Sequence, residues 1–550
     1  MLKLSFFIFT LVLFSNSSLA ETTLIKNVQG YTIDNNQLKQ FSAMLFTNDK
    51  IEQLYLSDAV LPNNKSIKVI NGKGKTLIPG LIDAHGHVLS YGLSLLQADL
   101  VNSESEQVAV LRAVKFAKEN TSSKWIQGRG WNQVQWPSNQ FPTAESLDRY
   151  FPNTPVWLRR VDGHAGWANT KAMQLAGITK NTITPSGGDI IRNESGQPTG
   201  VFIDNAMDLI TKSIAPPTRE ENKAALVKAM QSLTSMGLTS VHDAGIDEEN
   251  LNLYKELAKE NNMALRINAM LYLPSDNWQQ VLNNGPYFSE DKMLAFNSIK
   301  IQADGALGSR GAALIEDYSD HAGHKGLLLH KSSDFNNFVE TAMKSGFQVN
   351  THAIGDNANK LVLDSYQKNI KKTNTKHLRH RIEHAQVLRL DDIPRFSKLG
   401  IIASMQATHA TSDKNMAQDR LGEERILGAY AWRKLLSANV IIAAGSDFPV
   451  ESPNPFFGLH ASITRQDHKN QPTNGWLSRE KMTKIEAFNS FTQAAAYSGH
   501  QEDIIGSLAA GKKADFVILQ DNPFTINESE VWKNQVISTW VNGKKVYQKH

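Results

Sequence analysis

The chain has 550 residues, a formal net charge of +4 and no cysteine. Without thiols there can be no disulfide scaffold, cysteine zinc site, thiol nucleophile, iron–sulfur cluster or Cys-linked lipid, so any metal must be held by nitrogen and oxygen ligands. So small a charge predicts neither nucleic-acid nor membrane-surface binding, while 41% hydrophobic and 20% charged residues mark a folded globular chain.

Residues 1–20 carry an early Lys3, an apolar run from Leu4 to Phe14, and the small-residue ending Ser18-Leu19-Ala20. This is the pattern of a secretory signal, too short for a stable membrane span, and an N-terminal anchor is the competing reading. The expected location is periplasmic or secreted, with no membrane attachment after cleavage. Residues 21–78 alternate short apolar segments with turns such as Asn71-Gly72-Lys73-Gly74, which predicts small β-structure. The end of the chain, 506–550, looks alike: strands are expected at 514–519 and 536–541, and Asn542-Gly543 is a two-residue hairpin signal. The two ends together predict one composite β-domain.

Between them, 79–505 reads as alternating strand and helix. Eight short apolar runs occur at 77–84, 239–244, 265–271, 298–303, 347–351, 380–384, 401–405 and 440–444. Helical patterns at 220–236, 248–261, 333–345 and 391–399 separate several of them. Eight βα units imply an α/β fold with a closed (β/α)8 barrel. A doubly wound open sheet is the competitor, but no GxGxxG follows a strand. The gap after the first run is far longer than one crossover needs. It contains Trp125, Trp131, Trp136, Trp157 and Trp167, so a folded insertion, at about 95–235, is expected over the barrel mouth.

The chemistry lies where those runs stop. The first ends Asp83-Ala84-His85-Gly86-His87, and the fourth carries Lys300 and ends at Asp304. The fifth ends at His352, the sixth at Glu383-His384, and the eighth at Gly445-Ser446-Asp447. A barrel brings the C-terminal ends of all its strands to one site. His85 and His87, two apart on a strand, share a face and can address one cation. Any one of these histidines alone reads as an ordinary hydrogen-bonded residue. Four at strand ends, with a lysine and an aspartate, read as a metal site.

The segments 79–87, 300–305, 351–356, 381–386 and 445–449, with Gly506-Ser507-Leu508-Ala509-Ala510-Gly511-Lys512-Lys513-Ala514-Asp515 near the end, resemble the amidohydrolase superfamily. In detail they are similar to its amidohydrolase-3 subgroup, which includes N-substituted formamide deformylases. The resemblance covers essentially the whole chain after the signal. It implies a divalent metal, Zn2+ first among candidates, as one or two ions. His85 and His87 match ligands of the first ion, His352 and His384 those of a second. Asp447 matches the aspartate that binds metal and takes the proton from the attacking water. Lys300 matches a lysine that is carboxylated in binuclear relatives and bridges the ions. An unmodified ammonium has no lone pair to offer, so the alternative is a lysine paired with Asp304 or Asp447 beside a single ion.

The segment 160–165 is similar to one that faces the pocket in the subgroup, which makes His164 a candidate donor to the scissile carbonyl or else a structural histidine of the insertion. Trp131, after Gly128-Arg129-Gly130, and Asp304 are candidate substrate contacts, and Trp131 reads equally as core. His242 reads as barrel packing, and His409 lies too far past the seventh run to be counted as a ligand. The implied activity is metal-dependent hydrolysis of an amide, formamide or cyclic-amide bond in a small molecule. A dipeptidase or deaminase on the same scaffold, or a small-molecule-binding barrel without turnover, are the alternatives, and a homodimer is left open.

Overall fold

Three sheets hold the strands of the protein, seen in a computed structural model that describes residues 21–34, 37–121, 124–133, 136–161, 163, 165–185 and 188–549. The proposed signal, 1–20, lies outside the described residues. In chain order the strands begin with β1 (Thr22–Asp34), β2 (Gln37–Thr47), β3 (Lys50–Tyr55), β4 (Lys68–Asn71), β5 (Thr76–Pro79) and β6 (Leu81–Gly86). Next come β7 (Ala98–Asp99), β8 (Ile126–Trp131), β9 (Val156–Arg160), β10 (Ala165–Ala168), β11 (Gly188–Arg192) and β12 (Pro198–Asp204). Then follow β13 (Leu238–Ile246), β14 (Arg266–Leu273), β15 (Tyr287–Phe288), β16 (Leu294–Gln302), β17 (Gln348–Ala353) and β18 (Arg381–His384). The series ends with β19 (Ile402–Gln406), β20 (Ile442–Gly445), β21 (Phe516–Leu519), β22 (Val536–Val541) and β23 (Lys544–Gln548).

Eight of these, β6, β13, β14, β16, β17, β18, β19 and β20, pair in parallel in that order. The first and last meet at their C-terminal ends. There the Asp447 N–H donates to His85 O at 2.7 Å and the His87 N–H to Phe448 O at 2.8 Å. Space at this seam is tight: a Cβ on Gly445 would lie 2.6 Å from His85 N, and one on Gly86 2.2 Å from the Phe448 ring. Glycine is the residue that permits such an approach. The result is a TIM-like barrel whose strands, buried on both faces, read as nearly continuous apolar runs for that reason.

The eight runs of the sequence fall on these eight strands, with one correction. The run at 77–84 is two strands in two sheets. β5 pairs with β1 and β21, while β6 pairs with β13. The break falls at Gly80, where a Cβ would meet the Thr239 side chain at 2.1 Å. A run of buried residues shows no periodicity that could have revealed the change of sheet.

The helices surround the barrel. Arg219–Ser235 opens on a capping box between Thr218 and Glu221 and buries Leu226, Met230 and Leu233, a helical spacing, in the main core. Glu248–Lys259 is capped by the Asp247 side chain. The pattern at 391–399 resolves into a 3-10 turn, Leu390–Asp392, and a helix, Ile393–Leu399, with Pro394 in its first turn.

A second sheet draws strands from both ends of the chain, in the order β23-β22-β21-β5-β1-β2-β3 with β4 beside β1. Asn542 and Gly543 turn β22 into β23 with φ of 50° and 70°, the left-handed pair that a tight hairpin needs. The third sheet, β11-β12-β10-β9-β8-β7, lies between residues 98 and 204 and has its own core. Trp131, Trp136 and Trp167 pack on one another there with ring centroids 6.0 to 6.4 Å apart.

One buried ion pair ties the barrel to the end-to-end sheet. Arg266 of β14 donates from Nε to Asp515 Oδ2 at 2.9 Å and from Nη2 to Asp515 Oδ1 at 3.1 Å, and its guanidinium also reaches Asn542 of the hairpin. Asp515→Ala strands that guanidinium and should cost about 3–5 kcal/mol of stability. The double variant Arg266→Met, Asp515→Leu should recover most of it. Denaturant unfolding followed by tryptophan fluorescence measures both, and equal losses would argue against the charge pair as the tie.

Candidate metal centre

The site is assembled at the C-terminal ends of the barrel strands. His85 ends β6 and is fully buried. Its Nδ1 meets Glu383 Oε2 on β18 in a short contact. Arg381, two residues earlier on the same strand, holds that carboxylate twice, from Nε to Oε1 at 2.8 Å and from Nη2 to Oε2 at 2.9 Å. The remaining guanidinium donors reach His242 Nδ1 at 2.8 Å, Ala84 O at 2.7 Å and Ser404 Oγ at 2.8 Å. Burial alone would raise the Glu383 carboxyl, but Arg381, His85 and Lys300 hold it well below the usual carboxylate range. Burial, with the Lys300 charge, pushes the His85 imidazole down to about 4. His85 is therefore neutral near pH 7, with its Nδ1–H donating to Glu383 and its Nε2 lone pair facing the centre.

Asp447 follows β20 with φ of 61°, and His384 closes β18 with φ of 73°. Left-handed backbone at a non-glycine residue costs about 1–3 kcal/mol and collects at functional sites; here it turns two side chains inward at strand ends. Asp447 Oδ1 lies 2.9 Å from His87 Nε2 and 3.5 Å from His85 Nε2. Burial would raise this carboxyl too, yet the hydrogen bond with His87 and the surrounding imidazoles hold it well below the usual range. His384 Nδ1 is 2.7 Å from Gln406 Oε1, which leaves its Nε2 for the centre. Its ring stands edge to face with His352, centroids 4.5 Å apart. Lys300 is buried with Nζ 3.2 Å from His85 Nε2, and burial lowers its ammonium pKa. Among the described residues no carboxylate reaches it at ion-pair distance, so it faces an imidazole rather than Asp304 or Asp447.

Beneath the centre, Asp83 binds the seam. It accepts from the His85 N–H at 3.0 Å, the Ser446 N–H at 3.1 Å and the Ser446 hydroxyl at 2.6 Å, and burial raises its carboxyl to about 7.

The two candidate substrate contacts have structural partners, although Asp304 Oδ1 also stands 3.3 Å from His352 Nε2 at the centre. Asp304 is fully buried and accepts backbone N–H groups from Ala313, Ile354 and Gly355 at 2.9, 3.0 and 2.8 Å. Its carboxylate anchors two loops. Trp131 has no exposed surface and donates from its indole to Leu158 O at 2.7 Å, deep in the third sheet. Loop and strand residues of this kind are indistinguishable in sequence from pocket lining, because only tertiary contacts decide which way they face. His164 lies outside the described residues.

Sequence reasoning passed over four contributors. Glu383 and Arg381 carried a signal, being two apart on one strand and thus on one face. Gln406 ends the seventh run and could have been counted on the same rule. His409 gave none, because it is placed by the helix Ala407–Asp413, which starts directly after β19. It brings the His409 ring parallel to His384, centroids 5.9 Å apart.

These residues fit a divalent ion. Every donor is nitrogen or oxygen, and two imidazoles have one nitrogen fixed by a protein partner so that the other faces inward. His85, His384 and Asp447 each offer a ligand atom within 4.8 Å of the others. The Nε2 atoms of His352 and His409 are buried without a hydrogen-bond partner among the described residues, as free ligand or donor atoms would be.

Barrel and site together define a metal-dependent hydrolase. The chain belongs to the amidohydrolase family, whose sequence profile matches residues 68–547. It is 31% identical to the putative amidohydrolase YtcJ of Bacillus subtilis, over 92% of this chain and 98% of that one. It is 35% identical to Protein LONG AFTER FAR-RED 3 of Arabidopsis thaliana, over 87% and 83%, and 26% identical to N-substituted formamide deformylase of Arthrobacter pascens, over 88% and 90%. Among solved structures, a metal-dependent hydrolase from Pyrococcus horikoshii superposes with a TM-score of 0.74 at 25% identity, covering 92% of this chain and 99% of that one.

Glu383 would act on a bound ion through His85. Glu383→Gln should weaken metal affinity by about 10–100-fold, measured by chelator competition on the folded protein. Unchanged affinity would remove Glu383 from the site.

Proposed function

We propose that the protein is an exported amidohydrolase that cleaves a formamide, other non-peptide amide or cyclic-amide bond in a small molecule, with Asp447 as general base. The observation that carries the reading is the Asp447 carboxylate, held ionised among His85, His87 and His384, a placement a mere binding barrel does not need. The likeness to N-substituted formamide deformylase supports the bond class.

A divalent ion, with Zn2+ the first candidate, would be held by His85, His87, His352, His384 and Asp447, and supplies Lewis acidity that makes water a nucleophile near neutral pH. The other steps belong to the chain. Asp447 Oδ1 faces His85 and His87, so Oδ2 is the atom to accept the proton of the attacking water and return it to the departing nitrogen. Glu383 fixes the His85 tautomer. Lys300, in its buried position, is read as carboxylated, which would turn a group that cannot ligate into one that offers two anionic oxygens to a metal. His164 stays a candidate donor to the carbonyl. The three-sheet layout supports reading residues 21–78 with 506–550 as a composite β-domain, and the segment around the third sheet as an insertion in the barrel at 79–505. Among the described residues no helix is long and apolar enough to cross a membrane; the export reading rests on residues 1–20.

Protein taken from the periplasmic or culture fraction should begin at Glu21 on N-terminal sequencing. Metal-replete, it should hydrolyse at least one member of a panel of N-substituted formamides, N-acyl compounds and cyclic amides, with dipeptides and aminopurines as the competing arms. Asp447→Asn should lower kcat by about 10²–10⁴-fold. Turnover of dipeptides or aminopurines alone would replace the bond class, and no turnover of any member would end the hydrolytic reading. In bicarbonate buffer the wild type should bind two ions and Lys300→Met one, by elemental analysis; a single ion in both would assign Lys300 its unmodified form.

A further inference from the structure

His409 stands beside the ligand cluster, against His384 and Asp447. The helix Ala407–Asp413 begins immediately after Gln406 of β19, which places an imidazole beside the cluster from a strand end that contributes none of the ligands named above. The ring is parallel to His384 within 17°. Its side chain keeps 13% of its surface exposed, while its Nε2 is buried against the cluster. His409 Nε2 is 3.6 Å from Asp447 Oδ2, too long for a hydrogen bond, and it has no other partner among the described residues. Asp447 thus divides its oxygens: Oδ1 turns to His85 and His87 and Oδ2 to His409. Asp413, one turn further along the helix, accepts at Oδ2 from the Tyr430 hydroxyl at 2.6 Å and the Gln386 amide at 3.1 Å.

We propose that His409 is a catalytic residue that touches the reacting carbonyl, its Nε2–H donating to the oxygen on which negative charge develops as the tetrahedral centre forms. A preset donor at that point is among the strongest contributions a protein makes to acyl transfer. The proposal rests on the amidohydrolase reading for its reaction, but its geometry stands apart from His164, the donor the sequence had suggested.

The test uses zinc-loaded full-length protein and methylphosphonate, a tetrahedral anion, as probe. His409→Ala should retain the wild-type metal content, weaken methylphosphonate binding at least tenfold by calorimetry, and lower kcat about 10²–10³-fold with KM changed far less. His409→Gln, whose side-chain amide can still donate, should recover at least tenfold of the loss in both readouts. Loss of metal in either variant would make His409 a ligand instead, and unchanged methylphosphonate binding would make it structural; either overturns the proposal. Because the binding readout needs no turnover, failure of the wild type on every amide would remove the proposed reaction while leaving the oxyanion contact to stand or fall by calorimetry.

Discussion

The centre depends on a charge held inside the barrel. Arg381 and Glu383 are both essentially without exposed surface, in a layer that most barrels of this kind fill with branched aliphatic side chains. Two ions in that setting carry a heavy desolvation cost unless their hydrogen-bonding capacity is met. Here it is met: the guanidinium reaches five acceptor atoms on four residues across strands β6, β13, β18 and β19, and the carboxylate is shared between Arg381 and His85. The interaction therefore does two things at once. It pins four strands at one depth, and it sets the tautomer of the histidine most deeply buried in the site.

The rest of the site builds outward from that layer. Asp83 and Ser446 lock the seam between the first and last strands one step from His85, and Gly86 and Gly445 let the two backbones come close enough for this. Asp304 organises the loops after the fourth and fifth strands. Left-handed backbone at His384 and Asp447 then presents side chains that an ordinary strand end would point elsewhere. Rigidity of this kind is what a metal centre needs, since ligand atoms must stay within a few tenths of an ångström of their geometry. The Arg266–Asp515 pair extends the same device to the sheet made from the chain ends. It explains why an aspartate follows the glycine and lysines of the C-terminal motif.

Much of this was legible beforehand for a physical reason. Parallel strands buried on both faces leave apolar runs, and all eight were visible at 77–84 through 440–444; residues at strand ends follow from the runs, so His85, His87, Lys300, His352, His384 and Asp447 were placed in one region without any structure. The Asn542-Gly543 turn was legible because left-handed φ at both positions restricts residue choice so strongly. What escaped was set by contacts at long sequence separation. The split at Gly80 depends on Thr239, and Asp304 and Trp131 were taken for pocket residues because burial cannot be read from one side chain. His409 was discounted by counting along a strand that had already ended in a helix.

The sequence by itself determined the fold class, the ligand chemistry and the strand ends that carry it, because the absence of cysteine and the spacing of apolar runs are local properties of the chain. Only the tertiary structure decided the tautomer of His85, the partner of Lys300, the hydrogen-bond partners of Asp304 and Trp131, and the approach of His409. Those depend on which side chains meet across the barrel, and residues brought together from 300 or more positions apart, such as His85 and Asp447, leave no mark in sequence on how they will face one another.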